Sequence, residues 1–137
     1  MKIVLDTNVF ISGLLRPYGF PAAILRAVIM GQVTLYYDDR LLGEYREVAG
    51  RPALKLDQAR VETILTIIRS RGILVCAEPL RESLPDPDDM MFMEVALAGK
   101  ANCLVTGNIK HYPRAILREI RVATPREFCE ILREGLL

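Results

Sequence analysis

Short apolar runs with nothing polar inside them alternate along this chain with longer stretches in which apolar residues recur every three or four positions. The first run, Ile3 to Leu5, ends in Asp6-Thr7-Asn8 and reads as a strand buried on both faces. A helix is expected from near Val9, which Asp6, Thr7 or Asn8 can cap. Pro21 to Met30 carries Ile24, Leu25 and Val28 at helical spacing, with Pro in the first turn and Gly31 as its stop. Val33 to Tyr37 is a second strand. Asp38 and Asp39 open a helix to about Val48, with Leu41, Leu42, Tyr45 and Val48 on one side, before Gly50 and Pro52 break it. Asp57 to Arg71 is an amphipathic helix with Val61, Ile64, Leu65 and Ile68 as its stripe, stopped by Gly72. Ile73 to Cys76 is a third strand and Pro79 to Pro87 a polar loop. Asp88 or Asp89 opens a helix to about Ala98 that is apolar nearly all round and therefore central, and Gly99 ends it. Cys103 to Val105 is a fourth strand and Ile120 to Val122 a short fifth. Thr124, Pro125 and Glu127 form a capping box for a last helix carrying Phe128, Ile131 and Leu132.

Strands alternating with helices imply right-handed crossovers and a parallel sheet covered on both faces. The expected fold is α/β: a three-layer α/β/α sandwich around a central, mostly parallel five-stranded sheet, in one domain spanning residues 1–137. Active groups in such folds gather beyond the carboxyl ends of the strands. Asp6 and Asn8 lie just past the first strand, and Thr106 and Asn108 just past the fourth. Glu44 sits in the helix after the second strand, and Asp86, Asp88 and Asp89 open the helix before the fourth.

Composition changes the picture mainly by exclusion. A chain of 137 residues with 51% hydrophobic residues is a folded domain, which excludes a disordered tail protein. A net charge of +1 gives no basic excess to announce a nucleic-acid partner. No apolar run approaches the ~18 residues of a membrane span, and the apolar start reaches Asp6 too soon for a secretory signal. Cys76, Cys103 and Cys129 are widely spaced and His111 is the single histidine, so no zinc pattern is present. Reduced, buried thiols in a cytoplasmic protein are the expectation.

The acids invite a reading in hard-cation chemistry. Mg²⁺ or Mn²⁺ takes carboxylate oxygens and water and bridges to substrate phosphate. Asp6, Glu44 and Asp89 can supply such oxygens from separate elements, with Asp86 and Asp88 close by. Such a metal lowers the pKa of a bound water and offsets charge on a phosphodiester, so no histidine or cysteine base is needed. Each residue also has a plain reading. Asp6 can cap its helix, Glu44 can be a solvated helix residue, and one of Asp86, Asp88 and Asp89 can cap the buried helix. Glu44 borders the apolar stripe, three residues after Leu41 and four before Val48. Three acids in four residues exceed what one cap requires.

In order, these residues resemble the PIN-domain ribonucleases, and more narrowly the branch of toxin components of toxin–antitoxin pairs. The carriers are Ile3-Val4-Leu5-Asp6-Thr7-Asn8, Glu44, Asp86-Pro87-Asp88-Asp89 leading into Phe92, Glu94, Ala96, Leu97 and Ala98, then Leu104-Val105-Thr106-Gly107-Asn108 and Lys110-His111-Tyr112-Pro113. The resemblance implies an Mg²⁺- or Mn²⁺-dependent endoribonuclease in which Asp6, Glu44 and Asp89 are the family's acids, with Asp86 and Asp88 near enough to share the third role. It puts Asn8 and Thr106 in supporting positions. Many members carry a fourth aspartate where this chain has Asn108, which keeps a neutral oxygen ligand and gives up one charge. Lys110 and His111 are then expected to contact RNA phosphate. Members of this kind commonly dimerise and are commonly silenced by a small antitoxin protein.

Other classes are distinguished by single features. A PIN-fold RNA- or protein-binding module with weak catalysis is favoured by Asn108. A phosphatase of the haloacid-dehalogenase type wants Asp-x-Asp-x-Thr, and positions 8 and 10 are Asn8 and Phe10. A receiver domain wants a phosphoacceptor acid after the third strand, where Cys76-Ala77-Glu78 stands, and no phosphate-binding GxxxxGK[ST] loop occurs. The charge balance is expected to divide between an acidic centre and a basic rim of Arg40, Arg46, Arg51, Lys100, Lys110, Arg114 and Arg118.

Overall fold

In the computed structural model, which describes residues 1–81, 83–113 and 119–135, the hydrophobic runs form the five strands β1 (Lys2–Leu5), β2 (Thr34–Tyr37), β3 (Ile73–Leu74), β4 (Cys103–Val105) and β5 (Val122–Ala123). Their order across the sheet is β3-β2-β1-β4-β5, and every pairing is parallel rather than mostly so. Ile3, Val4 and Leu5 are wholly buried, as are Cys103, Leu104 and Val105 beside them. This is the burial that an unbroken apolar run at the sheet centre requires.

Among the described residues six helices follow the strands: α1 (Thr7–Leu15), α2 (Phe20–Ile29), α3 (Asp39–Ala49), α4 (Gln58–Arg71), α5 (Met90–Gly99) and, after the last strand, α6 (Pro125–Glu134). The chain steps one way along the sheet from β1 to β2 to β3, then back across β2 and β1 to β4. Right-handed crossovers place the helices of these opposite steps on opposite faces. Accordingly α5 lies against β1, β2 and β4, while α2 packs on α1, α4 and α6. No helix among the described residues is long and apolar enough to cross a membrane.

Several boundaries differ from the sequence expectation for local reasons. Helix α1 starts at Thr7, directly off β1, rather than near Val9. Strand β3 ends at Leu74 rather than Cys76, because the chain leaves this sheet edge after Val75 N–H bonds the Tyr37 carbonyl at 2.9 Å. Cys76 is therefore exposed and not buried, while Cys103 in β4 is buried and all three thiols are free. Strand β5 is Val122–Ala123, and Ile120 is buried just ahead of it. Gly99 closes α5 because a Cβ there would stand 2.9 Å from the Tyr36 ring, and Lys100 takes the left-handed cap with φ 53°. The capping box of α6 is formed from both sides: Thr124 Oγ1 accepts from Glu127 N, and Glu127 Oε1 accepts from Thr124 N.

Candidate metal centre

Two adjacent strand ends build the centre. The register pairs Leu5 with Val105, so Asp6 and Thr106 each stand one residue past the carboxyl end of a neighbouring strand. Asp6 N–H is still held by the Val105 carbonyl at 2.9 Å, and Thr106 N–H by the Ala123 carbonyl at 3.0 Å. Asp6 occupies the backbone cap position of α1, but its side chain makes no cap bond. Instead its Oδ2 accepts from Thr106 Oγ1 at 2.7 Å. That hydroxyl, fully buried, also accepts from Asn108 N at 3.1 Å and so ties the turn after β4 to the acid. The buried Tyr112 hydroxyl makes a longer contact to the same Oδ2 at 3.5 Å.

The second acid comes from the turn before α5. Asp86 caps that turn through Oδ1, which accepts from Asp88 N at 2.9 Å. Asp88 points its chain into an exposed position, whereas Asp89 is 7% exposed. His111 Nδ1 lies 2.8 Å from Asp89 Oδ2, a hydrogen bond in which the ring N–H donates. Ligand atoms of Asp86, Asp89 and His111 all lie within 4.8 Å of one another.

Glu44 approaches from α3 and is half-buried. Behind it, Arg40 one turn earlier donates from Nη1 to Glu94 Oε1 at 2.7 Å and from Nε to Asp38 Oδ2 at 2.9 Å. Glu94 Oε2 accepts from Leu80 N at 2.9 Å, and Asp38 Oδ1 caps α3 at Leu41 N. This chain of bonds fastens α3, α5 and the loop before α5 to each other just below the acids. Tyr45, buried and stacked on Phe10 with centroids 4.6 Å apart, donates its hydroxyl to the Leu5 carbonyl.

Electrostatics separate these acids from ordinary surface carboxylates. Burial pushes the Asp6 carboxyl above its usual range, against the lowering effect of the Thr106 hydroxyl. Burial and then the charge of Asp6 raise Asp89, while His111 pulls it down. Burial first, then the charges of Glu47, Asp88 and Asp6, raise Glu44, with Arg51 opposing them. Burial and the nearby Asp6 and Asp89 also raise the Tyr112 hydroxyl, which stays a donor. Among the described residues none of Asp6, Glu44, Asp86 or Asp89 is ion-paired with a lysine or arginine. Converging, partly dehydrated carboxylates without a fixed cation fit a hard dication, because charge is lacking where oxygen donors are plentiful.

The remaining expected residues divide. Asn8 is exposed and its amide lies against Gly107, 3.5 Å from where a Cβ would stand. Asn108 is exposed on the turn after β4, and Lys110 beside it is exposed and without an ion pair among the described residues. The basic rim is thinner than expected. Arg40 is bound to Asp38 and Glu94, Arg46 to Glu62, and Arg51 to Glu47. Lys100 lies at the opposite end of the sheet, since α5 runs back from the site to the start of β4. Arg114 and Arg118 lie outside the described residues. The sequence pattern gives Tyr112 and Tyr45 no role at the site, and it places Arg40 in the basic rim rather than paired with Glu94. Glu94 carried the one available signal, a charged residue inside an otherwise apolar helix.

A family model described as PIN domain matches residues 2–110. The chain is 30% identical over 141 residues to the uncharacterized protein MJ1680 of Methanocaldococcus jannaschii, covering 95% of this chain and 90% of the relative. The solved structure of FitAB bound to an IR36 DNA fragment matches with a TM-score of 0.60 at 23% identity, over 91% of this chain and 95% of that one. At that identity the likeness concerns the fold, which both chains share along nearly their whole length. PIN domains are generally nucleases and typically use divalent metals. On the match over residues 2–110, the chain belongs to the PIN domain family.

Proposed function

We propose that this protein is an endoribonuclease dependent on Mg²⁺ or Mn²⁺ that hydrolyses RNA phosphodiester bonds. What supports this reading is that Asp89 and Glu44 both feel the charge of the buried Asp6, while none of the three is ion-paired with a lysine or arginine among the described residues. Asp6 and Asp89, with Glu44 opposite and Asp86 and Asp88 alongside, would hold the dication. When bound, such an ion supplies a water of lowered pKa and offsets charge on the phosphate. Thr106 fixes the Asp6 carboxylate by its short hydrogen bond, which leaves one carboxylate edge free of that donor. Asn8 and Asn108 offer neutral amide groups at the rim, and Lys110 and His111 face incoming phosphate.

In its biological role we assign the chain to the toxin side of a toxin–antitoxin pair in the cytoplasm. Its partners are then RNA, an antitoxin protein and a second copy of itself. Incubation of purified protein with RNA and Mn²⁺ tests the chemistry. Cleavage is expected from the native protein and none from Asp6→Ala or Asp89→Ala; undiminished activity in either variant removes the proposal. A second reading, a PIN-fold RNA- or protein-binding module with weak catalysis, is favoured by Asn108, which brings no charge to the cluster. Calorimetry with Mn²⁺ separates the two: no heat, with or without RNA, favours the binding module.

A further inference from the structure

We propose that His111 is a ligand of the cation together with Asp86 and Asp89, so that this position takes a first-row transition-metal dication in preference to Mg²⁺. The inference rests on reading the acid cluster as a divalent-cation site, and adds the identity of the donors and the class of ion. Three observations support it. Ligand atoms of Asp86, Asp89 and His111 stand within 4.8 Å of one another, a spacing that closes around one ion with bonds of about 2.1 Å after small side-chain movement. His111 Nδ1 is already turned onto Asp89 Oδ2 at 2.8 Å, so the ring nitrogen points at the carboxylate edge and not at solvent. The three come from two separate segments, the turn before α5 and the turn after β4. The second of these is anchored to Asp6 through the Thr106 hydroxyl.

The donor chemistry then decides the ion. Mg²⁺ prefers an all-oxygen octahedron and gives up water reluctantly. Imidazole nitrogen suits later first-row ions, whose affinities for nitrogen sites rise along the series. On ligation Nδ1 gives up its hydrogen and the neutral ring carries it on Nε2. The ring is half-exposed, so Nε2 can bond to water.

Mn²⁺ is the probe, because pulsed electron paramagnetic resonance detects ¹⁴N coupling from a ligating imidazole. The full-length protein loaded with Mn²⁺ is expected to show that coupling, and His111→Asn to lose it. Competition between Mn²⁺ and Mg²⁺ followed by calorimetry should show the native preference for Mn²⁺ falling roughly tenfold or more in His111→Asn, as loss of a metal-site group does elsewhere. Manganese bound without nitrogen coupling, an unchanged preference in His111→Asn, or no manganese binding at all overturns the inference. RNA cleavage by protein whose Mn²⁺ shows oxygen ligands alone overturns it and leaves the ribonuclease reading standing. Nitrogen-ligated Mn²⁺ in a protein that cleaves no RNA supports it and removes that reading.

Discussion

Replacing Thr106 by valine removes one oxygen and almost no volume, so the packing of a fully buried side chain is kept. Two bonds are lost: the 2.7 Å donation to Asp6 Oδ2 and the acceptance from Asn108 N at 3.1 Å. A hydrogen bond to a buried charged group contributes about 1.5–3 kcal/mol, and the second, nearer to water, about 1 kcal/mol or less. Together Thr106→Val should cost about 2–4 kcal/mol in metal-free protein near neutral pH. For a chain of this length that corresponds to a fall in Tm of roughly 6–16 °C. The cost should depend on pH in a definite direction. The folded Asp6 carboxyl is raised above 3.8 by burial, so its ionisation destabilises the fold as pH rises through that raised value. The Thr106 hydroxyl limits this loss by favouring the charged form, and without it the loss deepens. Calorimetric unfolding at about pH 7.5 should therefore show the full deficit. Toward acid pH, as the raised carboxyl takes up its proton, the deficit should shrink toward that of an ordinary hydrogen bond of about 1 kcal/mol. Thr106→Ser, which keeps the hydroxyl and loses a methyl worth about 1 kcal/mol, should be equally destabilised at neutral and acid pH. A valine variant with the same deficit at neutral and acid pH, or one under about 1 kcal/mol near neutrality, would refute the account of Asp6.

Two further outcomes follow from the same centre. Asp6→Asn should raise the metal-free Tm at neutral pH, because the ionised carboxylate is disfavoured in the fold, and should abolish stabilisation by Mn²⁺. Native protein should gain about 2.7 kcal/mol at one hundred times its Kd, and a drop in Tm for the metal-free variant contradicts the reasoning. Arg40→Met and Glu94→Gln, measured by urea unfolding, should each destabilise by about 1–3 kcal/mol, discounted for the half-exposed arginine, and the double mutant should reveal a coupling of about 1–2 kcal/mol. Strict additivity would show that the 2.7 Å pair contributes no mutual energy.

The apolar runs locate each strand to within a residue or two, whereas the order β3-β2-β1-β4-β5 is visible only in the structure. Strand β3 falls two residues short of Cys76, because its continuation depended on a partner strand that the sheet edge lacks. Asp6 shows what local pattern leaves open: a capping carboxylate and one turned toward β4 have the same sequence, and only the Thr106 contact, one hundred residues away, separates them. Asp86 could be assigned to capping only once its bond to Asp88 N was visible. Charge counting misled at Arg40, Arg46 and Arg51, whose partners Glu94 and Glu62 lie 54 and 16 residues away for the first two. Only the Arg51–Glu47 pair had helical spacing that the sequence displays. Lys100 was legible in principle, since a helix that opens at the acid cluster must end at the far side of the sheet.

The parallel sheet also governs when the centre comes into being. Among the described residues every strand pairing is parallel, without a hairpin, and β1 meets β4 across about one hundred residues. Contacts of such long sequence separation close late and slowly. A growing polypeptide that has exposed Asp6 therefore carries an acid but no Thr106 to orient it, and neither Asp89 nor His111 beside it. The residues proposed to hold the dication are brought together by long-range docking, so fragments cut short before residue 111 lack the assembled centre. On the ribonuclease reading proposed above, the order of synthesis itself would keep unfinished chains inert.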